Sequence, residues 1–101
     1  MNGMHGKELM KAERRVIALQ KQMAELGPVM RGSVVVIGVR NKQPYFSCNK
    51  DGKTRLIYLG KKRARLAREY SENHKKLRNI IEKITDLNML LLKKNYANAC
   101  R

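Results

Sequence analysis

KKRARLAREYSENHKKLRNIIEKITDLNMLLLKK, residues 61–94, decides the architecture of this chain. Its first eight residues hold five cations, Lys61, Lys62, Arg63, Arg65 and Arg68. From Leu66 onward an apolar seam recurs at alternating spacings of four and three: Leu66, Tyr70, Asn73, Leu77, Ile80, Ile84, Leu87, Leu91. That period predicts one long helix with a coiled-coil-like stripe. At 1.5 Å per residue it would run about 50 Å, well beyond a short sheet, so something else must pack along it. Asn73 sits on the seam. It either fixes register in a helix pair, as buried polar residues do, or marks an edge of the stripe.

The packing partner lies upstream. Over residues 7–26, Leu9, Ala12, Val16, Leu19, Met23 and Leu26 recur at three and four, separated by good helix formers. Gly27-Pro28 stops this helix: Gly is expected in a left-handed cap, and Pro cannot continue the helix. Residues 1–6 and 95–101 are expected to be frayed ends. Between the helices three strands are predicted, at 33–40, 45–49 and 54–59. VVVIGV in the first is apolar on both faces, which predicts a central strand or one covered on both sides. Gly38 there marks a bulge or a close backbone approach. Asn41-Lys42-Gln43 forms the next turn, and Pro44 is tolerated at a strand start. Asp51-Gly52 supplies the positive φ of a tight hairpin. The expected fold is α+β: helix, three-stranded antiparallel meander, long helix, with the helices antiparallel, in a single domain spanning 1–101. Phe46 and Cys48 are expected in the core.

Charge is the strongest global signal. The chain carries 23 Lys and Arg against 8 Asp and Glu, a formal +15. A compact body with that charge repels itself, and a polyanion that releases counterions on binding relieves it. The cations at 61–68 stand where a helix prefers acids, because the N-terminus carries partial positive charge. The same arrangement is favourable around a phosphate. A second cationic set, Arg40, Lys42, Lys50, Lys53 and Arg55, falls at the turns and outer strand of the sheet, with Tyr45, Phe46 and Tyr58 among them. Strands of this kind can enter the DNA major groove, and aromatics on them can stack on unpaired bases. The candidate nucleic-acid-binding residues are therefore Arg40, Lys42, Lys50, Lys53, Arg55, Lys61, Lys62, Arg63, Arg65 and Arg68.

Other classes fit less well. Cys48 and Cys100 are far apart, and His5 and His74 complete no ligand set, so neither metal nor cofactor is expected. No nucleophile–base–acid constellation or phosphate-binding glycine loop is present, which argues against an enzyme. Glu69 and Glu72 are expected as surface ion-pair partners of Arg68, Lys75 and Lys76. No membrane span is expected, and the location is expected to be cytoplasmic.

Several local features also resemble a family of small uncharacterised basic prokaryotic proteins associated with transposases and other mobile genes. The shared outline is Leu26-Gly27-Pro28, Gly32-Ser33, Pro44-Tyr45, Asp51-Gly52-Lys53-Thr54-Arg55, Tyr58, the helical segment Glu72 to Leu77, and Leu87 to Leu91. Typical members carry a Cys-rich segment before the Pro-Tyr pair; here that place holds only Arg40 to Gln43. The resemblance implies association with mobile elements. The order of three strands and a helix is also similar to the arm-site DNA-binding domains of tyrosine recombinases, which implies a sheet docked in the major groove. The expected function is thus non-enzymatic nucleic-acid binding, DNA rather than RNA, for a phage or mobile element, with a homodimer through the long helix as a further expectation. The alternative is an interaction module: a mobile-element inhibitor or an accessory subunit of a nucleoprotein effector.

Overall fold

The computed structural model describes residues 6–99, with side chains as far as Lys94. The element order is α1 (Gly6–Glu25), β1 (Ser33–Ile37), β2 (Gln43–Lys50), β3 (Lys53–Tyr58) and α2 (Gly60–Ala99). This is the expected α+β fold, with the two helices packed antiparallel. Its parts divide into two compact units, one of Met1–Glu25 with Leu77–Arg101 and one of Leu26–Lys76. The second helix is longer than the sequence predicted, and residues 95–99, expected to fray, are helical. Gly6, placed in the frayed start, is the first residue of α1. Cys100, His5 and the remainder of both expected tails lie outside the described residues.

In the helical unit the predicted seams form the interface. Along α1, Ala12, Val16 and Leu19 are buried, and Leu9 and Met23 are half-buried. Along α2, Ile80 is buried, with Leu77, Ile84, Leu87 and Leu91 half-buried. Ala12 shares a groove with Leu87 and Leu90. In an antiparallel pair that register sets Leu19 level with Ile80, seven residues further on in each direction. Leu19 is the deepest side chain of the described residues, 1% exposed.

In the sheet unit the strand order is β1-β2-β3, antiparallel throughout, with Phe46 paired between Val34 and Ile57. Asp51 and Gly52 both have positive φ (54° and 75°) between the paired Lys50 and Lys53, the two-residue hairpin that Asp-Gly favours. The expected central or doubly covered position of the first strand is wrong. β1 is an edge strand, and Val36 and Ile37 are exposed. It also ends at Ile37, because Gly38 takes φ 131° and turns the chain so tightly that an added Cβ would lie 2.5 Å from the Asn41 carbonyl. Gly38 is thus a close backbone approach, as its sequence position suggested.

The first turns of α2 lie on one face of this sheet. Phe46, Leu59, Ala64 and Ala67 form the buried cluster, with Met30, Val34 and Cys48 packed around it. The contact face of the helix here is Ala64, Ala67 and Ser71, spaced three and four apart, and all buried. Leu66, predicted to begin the seam, is instead 50% exposed. Small residues win at this contact because they let the helix backbone come close to the bulky Phe46. One helix of about 10 Å diameter covers little more than two strands at about 4.8 Å spacing. Val36 and Ile57 on the same face accordingly stay more than half exposed.

The connector between α1 and β1 is bonded to α2. Met30 N–H donates to the Tyr70 carbonyl (3.1 Å), the Ser71 hydroxyl to the Gly32 carbonyl (2.6 Å), and Asn73 Nδ2 to the Pro28 carbonyl (2.9 Å). Asn73 therefore neither pairs helices nor sits idle at an edge; it holds a loop. Gly27 is not in the left-handed conformation expected of a helix cap. What matters there is its missing side chain, since an added Cβ would lie 3.2 Å from Asn73 Nδ2.

Candidate nucleic-acid interface

The charge is unevenly divided between the two units. Residues 26–76 hold thirteen Lys and Arg against three carboxylates, a net +10 of the chain's +15. Very little of it is neutralised internally. Among the described residues the one ion pair is Lys75 with Glu72, at 3.8 Å on the surface. Glu72 thus behaves as the expected surface partner, and the ten candidate residues have no carboxylate within ion-pair distance among the described residues.

The hairpin topology decides which candidates come together. β3 ends beside the start of β2, where Leu59 N–H donates to the Pro44 carbonyl (3.0 Å). Gly60 follows with φ 73°, and α2 begins there. The β1–β2 turn that carries Arg40 and Lys42 is at this same end of the sheet. Arg40, Lys42, Lys61 and Lys62 thus share one end, all exposed. Lys50 and Lys53 flank the other hairpin, at the opposite end of β2, about 24 Å away for seven strand steps. The sheet's cationic set is therefore split: Arg40 and Lys42 join the helix start at one end, and Lys50 and Lys53 stand at the other.

Helical geometry divides the cations of the helix start further. Lys61, Arg65 and Arg68 lie at i, i+4 and i+7 and share a stripe, while Arg63 points about 160° away from Lys61 on its shorter side. The stripe runs beside the edge strand β1, since Arg68 and Lys75 line a shallow cleft with Ser33, Val34, Ser71 and Glu72. Arg63 is committed elsewhere, its Nε donating to the Leu59 carbonyl at 2.7 Å. It ties the helix to the end of β3.

Strand alternation also separates the two tyrosines from the cations. Lys50, Lys53 and Arg55 share the helix-side face with Phe46, Cys48 and Ile57. Tyr45 and Tyr58 are on the other face, with Val35, Ile37, Ser47 and Leu56. Phe46 is core, as expected, buried under the helix while the cations on its face are exposed. The open face has no charged residue on any of its three strands. Polar side chains there satisfy each other: the Thr54 hydroxyl donates to Asn49 Oδ1 (2.6 Å), and the Tyr58 hydroxyl to Gln43 Oε1 (3.2 Å). This face was missed because its composition emerges only once register is known.

No protein-family model, curated protein or solved structure matches the chain. Among the described residues no helix is long and apolar enough to cross a membrane, and no three His, Cys, Asp or Glu side chains gather as a metal site.

Proposed function

We propose that residues 26–76 bind nucleic acid through its phosphates, as the working module of a non-enzymatic DNA-binding protein of a phage or mobile element. The observation that carries this reading is the net +10 on 51 residues with almost no internal pairing. Counterion release from a polyanion is the physical return on holding so many unpaired cations together. Arg40, Lys42, Lys61 and Lys62 contact the backbone at one end of the sheet, and Arg65 and Arg68 extend the contact along the β1 flank. The test is a titration of labelled duplex DNA and RNA with the full chain across a series of salt concentrations. The logarithm of the binding constant should fall linearly with the logarithm of salt. Absence of salt-dependent binding to either polymer would overturn the reading.

A second reading, an accessory subunit that docks through the long helix, is favoured by Ile81, Met89 and Leu92, which are exposed away from the seam of α2. Light scattering discriminates: a monomer that binds duplex with the full salt dependence removes the need for it.

A further inference from the structure

The open face of the sheet is an uncharged, aromatic surface inside the most basic part of the chain. Tyr45 and Tyr58 are directly paired across β2 and β3, with ring centroids 5.5 Å apart and planes at 70°. An edge-to-face pair of this kind leaves ring faces unused by the partner. Tyr58 is 48% exposed, and the bond from its hydroxyl to Gln43 holds the ring in place. The ring also lies beside Gly60, 3.8–3.9 Å from where a Cβ there would stand, at the end of the sheet where Lys61 and Lys62 follow in the chain. Arg40 and Lys42 are on the turn at the same end of the sheet.

Charge selects the occupant. A second copy of the chain set face to face would bring two strongly basic units together, at a cost in repulsion. A duplex keeps its bases stacked internally and offers this face nothing. A single strand offers both things the surface lacks: π-faces for the tyrosines and phosphates for the cations around them. We propose that the open face binds unpaired bases of a single-stranded nucleic acid, stacked on Tyr58 and Tyr45, with the adjoining phosphates held by Arg40, Lys42, Lys61 and Lys62. This rests on the phosphate-binding reading above and adds to it the state of the nucleic acid.

The test uses the full chain with an oligothymidylate and an oligouridylate of about 16 nucleotides, and a duplex of the same length. Tyr45→Leu and Tyr58→Leu should each weaken single-strand binding about tenfold and leave duplex binding unchanged. Tyr58→Phe, which keeps the ring, should keep the affinity. The chain has no Trp, so tyrosine emission reads the contact in the unaltered protein. Oligothymidylate should quench it, and the quench should shrink in the Tyr45→Phe/Tyr58→Phe variant while affinity persists. Equal losses on duplex and single strand, or unchanged single-strand affinity in the Leu variants, would overturn the proposal. So would a sedimentation mass that falls when either tyrosine is replaced, since a second copy would then own the face. Failure of the phosphate-binding reading looks different: Lys61→Ala/Arg65→Ala/Arg68→Ala would then leave binding of every oligonucleotide intact.

Discussion

The side-chain amide of Asn73 donates to the main-chain carbonyl of Pro28 at 2.9 Å, across 45 positions of sequence. The half-buried amide thereby fastens the connector after α1 to α2, alongside the Met30–Tyr70 and Ser71–Gly32 bonds. Asn73→Ala should lower stability by about 1 kcal/mol, the usual worth of such a bond. Asn73→Leu should cost at least as much, because it leaves the carbonyl unbonded and crowds Gly27. Chemical denaturation checks both. A gain in stability or in oligomeric mass for Asn73→Leu would mean that the residue polices a helix pair instead.

Gly32 is the tightest backbone position in the sheet unit. Its φ is 150°, and an added Cβ would lie 2.5 Å from the Ser47 carbonyl oxygen and 2.7 Å from the Phe46 ring. Neither neighbour can give way, since one is backbone and the other is core. Gly32→Ala should cost on the order of 4 kcal/mol from strain and overpacking together. Gly52 also has positive φ but nothing within 4 Å of its Cβ position. Gly52→Ala should cost only about 1 kcal/mol, the left-handed penalty alone. Equal melting temperatures for the two variants would contradict this.

Packing on α2 changes character along its length, and substitutions should report it. Ala64→Leu and Ala67→Leu force side chains into a contact built from small residues, and each should cost about 2 kcal/mol. Leu66→Ala should stay within about 0.5 kcal/mol, because Leu66 is largely outside the contact. Leu19→Ala, at the deepest point of the helical unit, should cost about 3 kcal/mol. Thermal unfolding of the four variants checks the order.

These contrasts also show which features the sequence revealed and which it hid. Periods of three and four exposed both seams from Leu9 to Met23 and from Leu77 to Leu91, because there a helix packs on a helix. Extending the same period back to Leu66 failed, because the partner changes to a sheet and the contact passes to Ala64 and Ala67, which hydrophobicity alone underrates. Asp51-Gly52 announced its hairpin through φ, a local property. β1 misled because its apolar residues on both faces match a buried strand, while its place at the edge follows from pairing partners far along the chain. The ten cations could be counted but not grouped, since grouping needs the direction in which β3 delivers the chain to Gly60. Asn73 showed its unusual polarity but not the Pro28 carbonyl that uses it.

That grouping makes the last prediction. Lys61, Arg65 and Arg68 form one stripe, whereas Lys50 and Lys53 stand at the far hairpin. If a duplex is held along the stripe, each cation removed takes one phosphate contact with it. The triple variant Lys61→Ala/Arg65→Ala/Arg68→Ala should flatten the log–log salt slope by about 2.7, at about 0.9 per contact. Lys50→Ala/Lys53→Ala removes two charges from the same unit, so it lowers the general attraction while leaving that slope within about 0.5 of the original. Anisotropy titrations over a common salt range separate the two effects. A loss of slope proportional to charge removed, whichever end it comes from, would mean a diffuse cationic surface with no defined track for the backbone.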